Sequence, residues 1–254
     1  MFTAPQKNFL LFFLVIFTAI FWPRISTTGD HRLSDNQTKA VKSLINQYIM
    51  ENPQIILKAL KEMEQRDAEK RALDIKHKIS LFKNKLHYDP NSPVGGNPNG
   101  NITVVEFFDY RCGYCKRVYP TIMKVIRKDG NIRYIYKELP ILGSESLLTS
   151  KIALAVWLIE KEKYYKFHSL IMKSRGSLNK ASLLKMAESL GIEKTLILKT
   201  VDSTKIQNII KNNHKLAQSL NITGTPAFII GEQLVPGAID SSVLKDLIKK
   251  ARGS

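Results

Sequence analysis

The sequence predicts an α/β domain in which a block of helices separates two strand-containing halves, with a helical arm in front. Three observations carry this. The run Ile102 to Phe108 is apolar, β-branched and aromatic, as in a buried strand, and Ile132 to Lys137 alternates as a second strand. Ala227 to Ile230 and Gln233 to Val235, joined by Gly231-Glu232, read as a strand pair. Between these halves, residues from Ser144 to about Leu220 show helical spacing, punctuated by Gly176 and Gly191.

The 254 residues and 44% hydrophobic content suffice for one such domain plus an appendage. A net charge of +17 raises nucleic acid or an anionic surface as partners. The lysines are scattered among acids, as in Lys58 to Arg71, with no dense basic run and no aromatic interleaving, so no nucleic-acid partner is expected. The only cysteines are Cys112 and Cys115, which excludes a disulfide framework and leaves stability to the core.

In chain order, Lys7 and the apolar run Phe9 to Trp22 precede Pro23 and Arg24. The run is short of the roughly 20 residues of a membrane span and fits a signal peptide over residues 1–26, with an uncleaved anchor as the alternative. Either reading exports the chain, with the periplasm as destination. Residues 27–88 form a helical extension. Its first helix, 34–51, is capped by Ser34 or Asp35 and carries Val41, Leu44, Ile45, Tyr48 and Ile49 on one stripe. Asn52-Pro53 breaks it, and a second helix runs from Pro53 to about Leu86. The arm has too few apolar residues to fold alone. It either packs on the catalytic domain or joins copies of the chain through residues 34–86.

Residues 89–101 are rich in turn formers and mark the boundary of the catalytic domain, 89–254. After the strand 102–108 comes a helix from Cys112 to Lys128, which Pro120 should kink. Asn221 to Pro226 is a loop, and Asp240 or Ser241 starts a terminal helix bearing Val243, Leu244, Leu247 and Ile248. A strand–helix–strand half, a helical insertion at about 144–220, then a hairpin and a helix make a thioredoxin-like fold.

The chemistry centres on Cys112-Gly113-Tyr114-Cys115. A zinc site needs four ligands, and the five histidines are too dispersed to complete one. Covalent haem needs His after the second cysteine, where Lys116 stands. Thiol–disulfide exchange needs only the pair. A cysteine in the first turn of a helix meets free N–H groups and the positive dipole end, which lowers its pKa from about 8.5 into a range of roughly 3.5–7.5. Cys112, the N-terminal and more exposed thiol, is the expected nucleophile, and Cys115, one turn in, the buried resolving thiol. Arg111, Lys116 and Arg117 are expected to add positive charge, and Gly113 and Tyr114 to tune the potential. His168 reads as a packing or capping residue. No metal or cofactor is called for.

These motifs resemble the DsbA family of exported disulfide oxidoreductases over about Ile102 to Ile248. Glu106, six residues before Cys112, matches the family's buried acid, and Pro120, five after Cys115, its helix proline. Thr225-Pro226 looks like the cis-proline loop that faces the cysteines. Phe107-Phe108-Asp109-Tyr110, Leu139 to Gly143 and Ile222 to Pro226 are similar to the Com1-like and BdbD-like branches, as is Asn52-Pro53 before a helix. The resemblance implies that Glu106 relays a proton to or from Cys115, and that Thr225, Pro226, Gly113 and Tyr114 bind substrate. The backbone of Thr225 would stay open to a substrate strand. Clients would be reduced or misoxidised exported polypeptides, with a membrane redox partner re-oxidising the enzyme. Gly113-Tyr114 is not the Pro-His of the best-known oxidant, and Thr225 stands where that oxidant has Val, as in the exported isomerases. The leading expectation is an oxidase, the alternative an oligomeric isomerase or reductase, and the third a non-catalytic binding protein.

Overall fold

The computed structural model describes residues 33–253. The leader expected over residues 1–26 therefore lies outside the described residues. The chain divides into two compact units after Leu60.

The first unit holds helix α1, Asp35–Glu51, and the start of α2, Gln54–Leu81. Ser34 caps α1 through a capping box. Its hydroxyl accepts from the amide of Gln37 at 3.3 Å, while the Gln37 side chain accepts from the amide of Ser34 at 2.9 Å. No residue of α1 is buried, and Leu44, Ile45, Tyr48 and Met50 are exposed.

The second unit is built on a sheet of five strands: β1 Val94–Gly96, β2 Ile102–Phe108, β3 Ile132–Glu138, β4 Ala227–Ile230 and β5 Gln233–Pro236. Their order is β1-β3-β2-β4-β5, with β2 and β3 parallel and the other pairs antiparallel. Strand side chains alternate between faces. One face carries Val104, Phe108, Tyr134, Tyr136, Phe228 and Ile230 into the main core. That core also takes residues of α4 (Gly113–Asp129), α10 (Ser241–Arg252) and the helical insertion. The opposite face carries Val105, Phe107, Ile135 and Ile229 into a second core. Ile79 near the end of α2, Leu86 in α3 (Lys83–His87) and Leu216 in α9 (Thr204–Ser219) close it. This is the thioredoxin-like fold, preceded by an N-terminal helical region.

Strands β2 to β5, α1, α4 and α10 fall within a residue or two of their expected limits. Three differences have physical reasons. The second helix of the arm stops at Leu81 and restarts at Lys83, because Phe82 leaves helical geometry at ψ 12°. The insertion is five helices, α5 Ser144–Ile159, α6 Lys161–Lys173, α7 Lys180–Glu188, α8 Lys194–Thr200 and α9, broken at Glu160 and Asp202 as well as near the two glycines. Strand β1 lies inside residues expected to be turns only. It pairs with β3, and its glycines hide it. A Cβ on Gly95 would sit 3.0 Å from the Tyr136 ring, and one on Gly96, at φ 64°, only 2.3 Å from the Ile132 carbonyl oxygen. Pro120 lies within α4, which runs without a break.

Leu86 is completely buried while Leu81, five residues earlier, is 68% exposed. Leu86→Ala is expected to cost about 2–5 kcal/mol and Leu81→Ala no more than about 0.5 kcal/mol, as read by chemical denaturation of the full chain.

Candidate active site

Strand β2 ends at Phe108, and the four residues Asp109 to Cys112 turn the chain into α4. Cys112 is the N-cap of that helix, where its sulfur accepts from the amide of Cys115 at 3.4 Å. Cys112 is 5% exposed and Cys115 fully buried, the order expected. Both are free thiols.

The two sulfurs differ sharply in acidity. The Cys112 pKa falls to about 5. The hydrogen bond from the Cys115 thiol lowers it most, burial opposes, and Thr225 and the amides of Cys115 and Tyr114 add to the lowering. The Cys112 thiol also donates to the Thr225 carbonyl at 3.1 Å, a bond that favours the protonated form and is outweighed. Burial, the bond to Cys112 and the nearby Glu106 drive Cys115 far upward, so it stays protonated. Hydrogen bonds lead in setting the thiolate. The neighbouring bases are engaged elsewhere: Arg111 with Glu145 at 3.3 Å, Lys116 with the Ser174 carbonyl at 2.7 Å, and Arg117 over the Tyr114 ring at 4.5 Å.

Glu106 is buried on the sheet face that α4 covers. Tyr134, on β3, donates its hydroxyl to the carboxylate at 2.6 Å. Burial raises the Glu106 pKa to about 7, Tyr134 pulls it back, and charge on Cys112 raises it further. An acid half-protonated near neutrality beside Cys115 can give or take a proton.

The Thr225-Pro226 peptide is cis, and the loop lies against Cys112 through the Thr225 carbonyl. In the dithiol state that carbonyl accepts from the protonated Cys112 thiol. Gly113 faces open space, and Tyr114 is 58% exposed beside the nucleophile. The site thus gathers Cys112, Cys115, Glu106, Thr225, Pro226, Gly113 and Tyr114. His168 is buried among aromatic rings, with Nδ1 2.9 Å from the Tyr110 hydroxyl, and burial lowers its pKa to about 3. It is a packing residue. Among the described residues no cluster of His, Cys, Asp and Glu could hold a metal ion.

Sequence reasoning missed two groups. Tyr134 reads as an ordinary strand aromatic. Asp109 is fully buried, with its carboxylate bonded to the amides of Arg111, Ile141 and Leu142 and to the Ser146 hydroxyl. An acid at the end of an apolar strand was its one visible signal.

A thiolate at the head of a helix, a protonated second thiol one turn on and a cis-proline loop against them define a thiol–disulfide oxidoreductase of thioredoxin fold. Residues 103–249 match the model of the DSBA-like thioredoxin domain, and the chain belongs to that family. It is a protein disulfide oxidoreductase, which leaves the non-catalytic reading without support. Residues 37–70 match a second model, the N-terminal domain of the copper resistance protein ScsC. The thiol–disulfide exchange protein alpha-DsbA2 of Wolbachia pipientis is 36% identical with a TM-score of 0.67, covering 71% of this chain and 97% of its own. Proteus mirabilis ScsC, crystallised in a transitional conformation, is 27% identical with a TM-score of 0.64, covering 89% of this chain and 99% of its own. Disulfide bond formation protein D of Bacillus subtilis is 24% identical over 62% of this chain and 76% of that protein.

The thiolate absorbance of the reduced protein is expected to titrate near pH 5, and Cys115→Ala, which removes the principal donor, should move the midpoint toward the ordinary thiol value of about 8.5. A midpoint unchanged in Cys115→Ala would contradict the assignment. Because the folded pKa lies below the unfolded one, the thiolate's contribution to stability is complete above the unfolded pKa and is lost as pH falls through about 5. The difference in denaturation free energy between the reduced wild type and Cys112→Ser should therefore grow between those two pH values.

Proposed function

We propose that this protein introduces disulfide bonds into exported polypeptides through the Cys112-Gly113-Tyr114-Cys115 site. The observation that carries the direction is the Cys112 thiolate. Its low pKa favours the dithiol state over the disulfide state, which has no thiolate, and so makes the disulfide a better oxidant. The name of the Bacillus subtilis relative agrees with this direction.

A substrate thiolate attacks Cys112 in the disulfide. A substrate–Cys112 bond forms, the Cys112–Cys115 bond breaks, and its electron pair goes to Cys115. Glu106, half-protonated near neutrality, supplies the proton that Cys115 takes up and recovers one from solvent. The second substrate thiolate then attacks the substrate sulfur, and Cys112 departs as the stable thiolate. The substrate is oxidised by two electrons and the enzyme is left as Cys112 thiolate and Cys115 thiol. Thr225, Pro226, Gly113 and Tyr114 form the surface that meets the substrate. Re-oxidation falls to a membrane redox partner. The periplasm, which tolerates such chemistry, is the compartment to which the apolar segment Phe9 to Trp22 would direct the chain.

A second reading, an isomerase or reductase that works as an oligomer, is favoured by one specific observation. Val41, Leu44, Ile45 and Tyr48 line α1 at helical spacing and are all exposed, within the segment that matches the ScsC N-terminal domain. We read residues 27–88 as an extension whose last turns are built into the catalytic domain of residues 89–254, leaving α1 to join copies of the chain.

Incubation with reduced ribonuclease and, separately, with scrambled ribonuclease distinguishes the readings. Oxidation without unscrambling is the expected outcome. Strong unscrambling that disappears in Leu44→Lys together with Tyr48→Lys, with a matching fall in mass by light scattering, would establish the second reading instead.

A further inference from the structure

We propose that the cleft between α4, α6 and β1 is a binding site for a small aromatic monoanion, separate from the redox pair. It lies toward the far end of α4 from Cys112. Its residues on that helix are Tyr119, Met123, Ile126 and Arg127. At about 1.5 Å per residue, Ile126 stands roughly 20 Å along the helix axis from the nucleophile.

The cleft has a volume of about 710 Å³, within the range of sites that hold drug-sized ligands. Three aromatic side chains, Tyr119, Tyr136 and Tyr165, and Met123 form its walls. The fold itself sets these walls in place. The Tyr136 hydroxyl donates to the Met123 sulfur at 3.6 Å, and the Asn97 side chain ties the turn after β1 to the Gly130 carbonyl at 3.1 Å. The rings of Tyr136 and Tyr165 meet at 5.9 Å between centroids, and Gly95 leaves room for them. A Cβ there would stand 3.0 Å from one ring and 3.1 Å from the other.

Charge around the cleft selects the sign of the ligand. Among the described residues the lining holds two exposed cations, Arg127 and Lys166, and no carboxylate. Asp129, two residues from Arg127, is taken up by Arg252 at 2.8 and 2.6 Å. Three tyrosines alone would suit a cation as well as a neutral ring, but the two rim cations repel a positive ligand. The helix bounds the number of negative charges. The cleft meets the carboxyl end of α4, near Ile126 and Gly130, where the dipole is negative, so a polyphosphate finds no helix N-terminus there. A flat apolar body between the rings, with one carboxylate or sulfonate reaching Arg127 and Lys166, satisfies both conditions.

The test uses the full-length protein and two fluorescent probes with the same rings, anilinonaphthalene sulfonate and the uncharged N-phenyl-1-naphthylamine. The sulfonate should bind the wild type about fivefold more tightly than the neutral probe at low salt and lose that advantage as salt rises. Arg127→Gln together with Lys166→Gln should weaken sulfonate binding by about fivefold and leave the neutral probe unchanged. Ser169→Trp, which places a large ring in the cleft, should weaken both probes. Where that variant does not fold, the exposed pair carries the test. Leu44→Lys together with Tyr48→Lys, which removes the exposed stripe of α1, should leave sulfonate binding as it is. Equal affinity for the two probes would overturn the proposal, as would sulfonate binding indifferent to Arg127 and Lys166. Loss of the sulfonate with the α1 substitutions would also overturn it, because the probe would then sit on the arm.

Discussion

The contact of Cys115 with the Cys112 sulfur at the head of α4 is the interaction on which the site depends. It lowers Cys112, which makes that sulfur a good leaving group, and adds to the burial that keeps Cys115 protonated. The Cys-x-x-Cys spacing makes it geometrically natural, because residue N3 of a helix returns its amide to the N-cap, here the Cys115 amide to the Cys112 sulfur at 3.4 Å. Charge attraction from lysines and arginines is not among the causes that lower the thiol, and the nearby bases make other contacts.

That asymmetry has meaning only because the sheet brings a titrating acid to the same face. Glu106 and Phe108 on β2 point toward α4, whereas Val105 and Phe107 point toward the second core. A shift of one residue in the register would bury Glu106 among Leu86, Leu216 and Ile229, far from any thiol. The register of the parallel pair sets Glu106 against Tyr136, and the Tyr134 hydroxyl reaches it along the diagonal. Tyr134 offers the carboxylate a partner without neutralising it, so the pKa stops near 7 instead of climbing as burial alone would drive it.

Much of this was legible in the sequence. Strands β2 and β4 are declared by continuous β-branched and aromatic runs, α1 by the cap candidates Ser34 and Asp35 and its apolar stripe, and the nucleophile by cysteine spacing. What stayed hidden has a common cause. Strand β1 is two-thirds glycine because its neighbours crowd the backbone, so it lacks the side chains that announce a strand. Tyr134 and Asp109 take their roles from partners about 30 residues away in the chain, and no local pattern encodes such a pairing. The bases beside the cysteines gave the opposite error. Sequence proximity suggested an electrostatic role, and the fold turned Arg111 to Glu145 and Lys116 to a carbonyl instead.

The arm and the catalytic unit are stabilised by different physics. The catalytic unit buries aromatic and aliphatic side chains on both faces of its sheet, and its buried polar groups are largely bonded. Lys137, for one, pairs with Asp89 at 2.8 Å on the side away from the thiols. Helix α1 has none of that support. Its capping box is worth about 1 kcal/mol, and most helix stability in proteins comes from packing, which α1 lacks. An apolar stripe exposed on so short a helix is costly to keep in solvent, and association would both cover the stripe and stabilise the helix. A carrier that delivers one disulfide has no use for two active sites held near each other, whereas an enzyme that rearranges several wrong disulfides in one client does. The exposed stripe of α1 is therefore the feature on which the proposed oligomeric reading rests.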